Sequence, residues 1–518
     1  MSRCLKSPIN HSRLSKQRRQ FVKTLGVLTG LACLAHLFIG ADPVVVAIAG
    51  LTFMLSICPV AMCGFFNIGA VLIGLVGFRY VGFSIFAKLA MGQPLSSNLL
   101  HARGAFLVVL VGVVGYLVAF ACAYKLNVGR PISRPVNKEM QLGRISLLAG
   151  ALGVTAALVH FSHVDRAYRG THVVSFFVNL IDLALICAFA RNILRSRRQI
   201  ADWWVWLLAG AVALIVLISS SRGLAVAVLM CFVATKTAFG TKIDWRVLCA
   251  GAAIMALVVM LVTPVFLYVR GSRTGLTLNQ FIGATWRAAT DWHGTLSRYL
   301  AQSRLQEESQ GWFLRYYGSR ANILTRLSLV NHVEVLKNGS DSHGRFGLYD
   351  LCTAFEKAVP RILAPNKPRG FSQGDWLYAT MGIPTHMGGH STAPLIGEGY
   401  AGFGWPGAFC YPFLMGFAMF LFIKKISGWD LRGNVLAIFL LICIQNSFVE
   451  GDSSSYIIGV LRILPQDLVL MWLMTRLSAV QFIGPLSRRG YRPFGRRPPV
   501  QHPHILGTLD RRLSSGRS

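Results

Sequence analysis

The sequence predicts an all-α polytopic membrane protein with about twelve transmembrane helices, and three observations lead there. Hydrophobic residues make up 53% of the 518-residue chain and charged residues only 14%. With a mean hydropathy of +0.52, this composition suits lipid rather than water as the main solvent. Apolar stretches of about 17 to 25 residues, the length that crosses a hydrocarbon core roughly 30 Å thick, recur along the chain. Lysines and arginines gather in every second connection between them, the pattern that orients a multi-pass protein.

The apolar runs fall near 25–41, 43–63, 66–90, 104–124, 145–163, 173–190, 203–219, 222–238, 247–268, 405–423, 434–449 and 456–475. In lipid every backbone amide must be satisfied within its own segment, so runs of this length are helices. Residues 1–24 form a basic tail with Arg13, Lys16, Arg18, Arg19 and Lys23. The same bias returns at Lys125 and Arg130, at Arg195 and Arg197, at Lys236 and Lys242, and at Lys424 and Lys425. An even number of spans then places both termini in the cytoplasm. Residues 25–268 hold nine spans, 269–404 form one large loop on the opposite side, and 405–475 hold three more spans. The tail at 476–518 is rich in Pro, Gly, Ser and Arg, which predicts disorder at the membrane surface.

The net charge of +32 sits largely in the short loops and the two tails. Topology and attraction to anionic head groups account for it there, which argues against nucleic acid as a partner. The first apolar run follows a basic leader as a signal peptide would, yet Asp42 and Pro43 open directly onto a second run, so an uncleaved helical hairpin is expected. Of the eleven cysteines, only Cys352 clearly falls in the large loop, which leaves no disulfide framework and no Cys/His metal cluster. The sequence has no G-x-x-x-x-G-K-S/T phosphate loop and no D-x-D pair to hold a metal on a nucleotide sugar. Energy must therefore come from the substrate or a gradient, with no cofactor and no metal. No repeat relates the two halves, which weakens a transporter reading.

The loop at 269–404 is too long to be a connector. From 278 to 300, Phe281, Ile282, Thr285, Trp286, Ala289, Trp292, Leu296 and Tyr299 recur at three- and four-residue steps, which predicts one amphipathic helix with Arg287, Asp291 and Arg298 on its other face. Such a helix lies in the interface plane, caps a cavity or simply packs. Further on stand Pro360-Arg361-Ile362-Leu363-Ala364-Pro365-Asn366-Lys367-Pro368, then His386 and His390, then Gly397-Glu398-Gly399-Tyr400-Ala401-Gly402-Phe403-Gly404 leading into a span.

These runs, in this order, resemble the Wzy-type polymerases of O-antigen and other oligosaccharide repeat units, as does Ser221-Arg222-Gly223 at a helix end. Gly402 stands where that family often has Asn. The resemblance implies a GT-C-like, metal-independent glycosyltransferase of the bacterial inner membrane, working on the periplasmic face. The growing glycan would leave undecaprenyl pyrophosphate and join an incoming lipid-linked unit. It implies lipid-linked oligosaccharides as substrates, with membrane lipids and a chain-length regulator as partners.

The residues can be tested against that chemistry. A departing pyrophosphate without a metal needs guanidinium or ammonium groups, and Arg222, Arg270, Arg273, Arg361 and Lys367 are the candidates. Lipid head-group anchoring explains Arg270 and Arg273 equally well. Arg222 opposes the topological bias in a very short hairpin and is less easily explained that way. An attacking sugar hydroxyl needs a base, for which Glu398 and His390 are candidates, Glu398 being alternatively the structural partner of an arginine. His386 is a substrate-binding candidate, since the glycines between it and His390 disfavour a helical metal site. Tyr400, Trp376, Tyr378 and Trp405 offer flat faces to sugar rings, or belong to an interfacial aromatic belt. Arg79, His160, Asp182, Arg462 and Asp467 fall inside apolar runs, where internal ion pairs are expected, Arg462 being alternatively close enough to the outer end of the last span to reach the pyrophosphate. An O-antigen ligase uses the same donor and is the nearest rival reading, and a flippase or transporter of lipid-linked sugars is the rival from another class.

Overall fold

The computed structural model describes residues 11–132, 138–162, 177–195, 202–219, 222–240, 265, 268–269, 278–309, 316–317, 327–359, 373–381 and 393–479. Among them the regular structure is helical, with one isolated bridge between Asn67 and Asp430. Among the described residues, seven helical stretches are long and apolar enough to cross a membrane: Gln20–Phe38, Pro43–Cys63, Ile68–Ala90, Ala102–Lys125, Glu139–Val159, Trp405–Ile426 and Ser453–Ser478. The chain is a multi-pass, all-α membrane protein.

In chain order the first helices are α1 (His11–Phe38), α2 (Pro43–Cys63), α3 (Ile68–Gly77), α4 (Phe83–Ala90), α5 (Ala102–Lys125) and α6 (Glu139–Ser162). They are followed by α7 (Leu180–Arg195), α8 (Trp203–Ser219) and α9 (Arg222–Ala238). Where twelve spans were expected, α7, α8, α9 and α17 (Val435–Glu450) have only 16 or 17 residues. At 1.5 Å per residue that is about 25 Å, short of the hydrocarbon thickness. The run expected at 247–268 lies outside the described residues apart from Val265 and Tyr268.

Local chemistry sets the helix starts. Asp42 accepts the Val44 N–H at 3.0 Å and Pro43 occupies the first turn of α2, where its missing N–H costs nothing. Asn67 caps α3 through the Ala70 N–H at 3.0 Å. A π-helical turn at Phe78–Gly82 joins α3 to α4, and its Arg79 pairs with Glu450 at the end of α17 and donates to the Leu327 carbonyl at 3.0 Å. The internal partner expected for Arg79 is thus present. For the aspartates the outcome differs. Asp182 and Asp467 lie within electrostatic range of each other and neither has an ion pair among the described residues, nor does Arg462. The side chain of His160 lies outside the described residues.

The large loop contributes α10 (Leu278–Thr290), α11 (Trp292–Ser309), α12 (Val330–His343), α13 (Tyr349–Ala358), α14 (Gln373–Thr380) and α15 (Leu395–Phe403). The single amphipathic helix expected over 278–300 is two helices. Asp291 breaks it because its carboxylate accepts the Gly294 N–H at 3.1 Å and so caps α11. The buried face differs in part: Ala288 packs with Val265 and Val269 and the Thr295 hydroxyl donates to the Ala288 carbonyl at 2.9 Å, while Trp286 is 71% exposed. Trp292, from the expected stripe, packs against the same cluster, while Ile282 and Trp286 stay exposed.

Beyond α15 come α16 (Trp405–Ile426), α17, α18 (Ser453–Ile458) and α19 (Leu464–Ala479), the last two joined by a π turn at Gly459–Ile463. Helix α5 packs along α16, and a Cβ at Gly115 would come within 2.5 Å of the Phe409 carbonyl oxygen. Gly399 and Gly407 bring the backbones of α15 and α16 into direct contact, leaving no room for a side chain at either. At the far end of α5, Lys424 donates to the carbonyls of Ala123, Tyr124 and Leu126 at 2.9, 2.8 and 2.6 Å and closes that helix terminus. Helices α12 and α15 therefore sit at the opposite end of the α5–α16 pair.

Candidate functional site

Two loop helices converge at that end, and each fastens itself to a span through a buried glutamate. On α15, which starts after Pro394, Glu398 is fully buried. Its two oxygens accept the Ser453 N–H at 2.6 Å and the Ser453 hydroxyl at 2.5 Å. Ser453 is the first residue of α18, and the adjoining Asp452 caps that helix through the Ser455 N–H at 2.8 Å. A carboxylate here meets the positive end of a long helix, which offsets the cost of burying it. The Leu395 N–H donates to the Gly451 carbonyl at 3.1 Å beside it.

On α12, Glu334 is likewise fully buried and accepts the His101 N–H at 2.5 Å, at the start of α5. Its other oxygen, Oε2, has no hydrogen-bond partner among the described residues. Burial pushes this carboxyl up to about 7, against the opposing pull of the His101 and Leu100 amides and of Lys337.

The same face of α12 continues outward through Lys337, Asn338 and Asp341, at three- and four-residue steps. Lys337 Nζ lies 2.8 Å from Asp341 Oδ2, and the Tyr400 hydroxyl donates to Asp341 Oδ1 at 3.2 Å. Gly344, at φ 89°, ends α12 in a conformation that favours glycine and turns the chain back. Arg345 then reaches Asp341 at 3.7 Å and the Tyr400 ring at 5.1 Å. The Tyr400 ring meets Trp405 edge-on, with centroids 5.3 Å apart. Burial first, then the Asp341 carboxylate, holds the Tyr400 hydroxyl above its ordinary range.

The site thus joins two cations, one carboxylate and two aromatic rings at the mouth of the α5–α16 pair. Arg345 is 41% and Asp341 38% exposed, so both are open to a ligand. Such a set suits an anionic group on the cations and a hydroxyl-rich ring against the aromatics. Among the described residues no group of three His, Cys, Asp or Glu side chains is placed to hold a metal ion.

Of the residues singled out from the sequence, Glu398, Tyr400 and Trp405 belong to this arrangement. Arg222 is the first residue of α9, and its side chain lies outside the described residues. His386, His390, Arg270, Arg273, Arg361 and Lys367 also lie outside them. Sequence reasoning missed Glu334, Lys337, Asn338, Asp341, Arg345 and Ser453. The signal for the first four was their helical spacing inside the loop, while Ser453 becomes visible only once α15 and α18 meet. Comparison of the chain with family models, curated proteins and solved structures finds no match.

Proposed function

We propose that this protein polymerises lipid-linked oligosaccharide repeat units, moving a growing glycan from polyprenyl pyrophosphate to an incoming lipid-linked unit on the periplasmic face of the bacterial inner membrane. In this reading the chain has about twelve spans in a GT-C-like arrangement, with both termini cytoplasmic. The observation that carries it is the convergence of Lys337 and Arg345 with the rings of Tyr400 and Trp405 at the mouth of the α5–α16 pair. A departing pyrophosphate spreads negative charge that preorganised cations stabilise as it develops, and no nucleotide is needed because the donor is already activated. The rings flank the sugar next to it. Because both Glu398 oxygens are committed to Ser453, Glu398 holds the site in position and the acceptor hydroxyl gives its proton to His390 in this reading. Arg222, Arg270, Arg273, Arg361 and Lys367 supply further positive charge around the pyrophosphate.

Deleting the gene and analysing the surface glycan tests the assignment. Single-repeat glycan on its final acceptor supports polymerisation. Full-length chains stranded on the carrier would assign the protein as a ligase, and units trapped on the cytoplasmic leaflet as a flippase.

A further inference from the structure

We propose that Glu334 and Asn338, one turn apart on α12, form a hydroxyl-recognition subsite that takes a sugar ring of the lipid-linked substrate. The inference rests on the transferase reading and sharpens it by separating where the glycan is held from where its pyrophosphate is held.

Three polar atoms within one helical turn carry it. Glu334 Oε2, Asn338 Oδ1 and Asn338 Nδ2 are all buried and have no hydrogen-bond partner among the described residues. A buried polar atom left unpaired forfeits its hydration without return, so a group of them in one place marks a position that something polar fills. Residues four apart on a helix share a face, so the three atoms belong to one side of α12. Helix α12 packs on α5 there, since the His101 N–H fixes Glu334 Oε1 and the Lys337 side chain lies against Gly104. With one oxygen held by a backbone amide, the other is a preoriented acceptor.

The chemistry of the three atoms selects a class of ligand. Above about pH 7, where the carboxyl has lost its proton, the free Glu334 oxygen accepts, and the amide both donates and accepts. Neighbouring hydroxyls on a sugar ring, each able to donate and accept, complement that set. An apolar chain would leave all three atoms unpaired, and a phosphate would face the Glu334 carboxylate. Along the same face stand Lys337 and Asp341, with Arg345 just past the end of the helix. Asn338 stands next to Lys337 and three residues, about 4.5 Å of helix rise, before Asp341, so a sugar held here has its pyrophosphate beside the cations.

The test uses the full chain in lipid nanodiscs and two probes: undecaprenyl pyrophosphate without sugar, and the lipid-linked repeat unit extracted from cells that make the protein. Wild type should bind the sugar-bearing probe at least about tenfold more tightly, the return on two or three hydrogen bonds to otherwise unpaired groups. Asn338→Ala should bring the two probes near parity without weakening the sugar-free one. Glu334→Gln keeps an acceptor for the His101 amide and replaces the second oxygen with a donor, so with the probes compared at about pH 8, where the wild-type carboxyl is ionised, it should do the same. Asn338→Asp, close in size, covers the case in which the alanine variant fails to accumulate. Undiminished preference in these variants would mean that water alone fills the position, and the subsite would be wrong while the transferase reading stood. Failure of wild type to bind either probe would instead overturn the transferase reading and the subsite with it.

Discussion

Ser453 donates both its backbone N–H and its hydroxyl to the buried carboxylate of Glu398, at 2.6 and 2.5 Å. Fifty-five residues apart in sequence, the two join the loop helix α15 to the start of the final span. Glu334 does the same for α12 at the start of α5. The loop helices are thereby fastened to two helix N-termini, and the cations and rings between them inherit a fixed geometry.

Removing one partner from such a pair should cost stability before it costs chemistry. Glu398→Ala leaves the Ser453 donors buried and unpaired, which should destabilise the protein by about 2 to 3 kcal/mol. Glu398→Gln retains a carbonyl acceptor and should keep much of the abundance and activity. Melting curves beside membrane abundance provide the check. A glutamine variant that accumulates normally yet is as inactive as alanine would make Glu398 the base instead.

Arg345→Ala should lower turnover by about two to three orders of magnitude at unchanged abundance, the usual result of removing one preorganised donor from developing negative charge. Arg345→Lys keeps the charge without the planar fork and should rescue only in part. Glycan length distribution on gels, normalised to protein level, reads both. Normal long chains from Arg345→Ala would remove this residue from the site.

Glu334 gives the protein a pH dependence of known sign. Its carboxyl stands near 7 when folded against 4.5 when free. Between pH 4.5 and about 7 the folded state therefore holds a proton that the unfolded state has lost. The stabilisation is fully present below pH 4.5 and falls away as pH rises through about 7, by on the order of 3 kcal/mol. Melting temperature followed from pH 4.5 to 8 should decline for wild type and decline less for Glu334→Gln. Parallel curves would mean that Glu334 does not titrate in this window.

Much of the architecture was legible in the sequence because lipid imposes one length and one periodicity on a span. The run at 43–63 coincides with α2, and 405–423 lies within α16. What failed was local competition. Asp291 reads as the polar face of one helix until its carboxylate is seen to cap a second. Asp182 and Asp467 read as halves of ion pairs, yet packing sets them near each other. The site was half legible: Glu398 and Tyr400 stand in a recognisable run, whereas Lys337, Asp341 and Arg345 gain meaning only when α12 packs on α15. Their mutual pairing follows four-residue spacing, but their contact with Tyr400 spans 59 residues and no local spacing encodes it.

Topology follows from the charge bias and can be checked separately. Reporter fusions should place residue 340, inside α12, outside the cytoplasm, and residues 135, 195, 240, 428 and 500 inside it. A cytoplasmic signal at 340 would put the Lys337–Arg345 cluster on the wrong side for a lipid-linked donor.

The most direct measurement is elongation by the purified protein. Full-length chain in proteoliposomes, given lipid-linked repeat units, EDTA and no nucleotide, should produce a ladder of longer glycans on the carrier. With Arg345→Ala the ladder should shrink to the shortest products. A strict requirement for a divalent metal or a nucleotide, or no elongation by wild type at all, would contradict the assignment of donor activation to the pyrophosphate and of its stabilisation to Lys337 and Arg345.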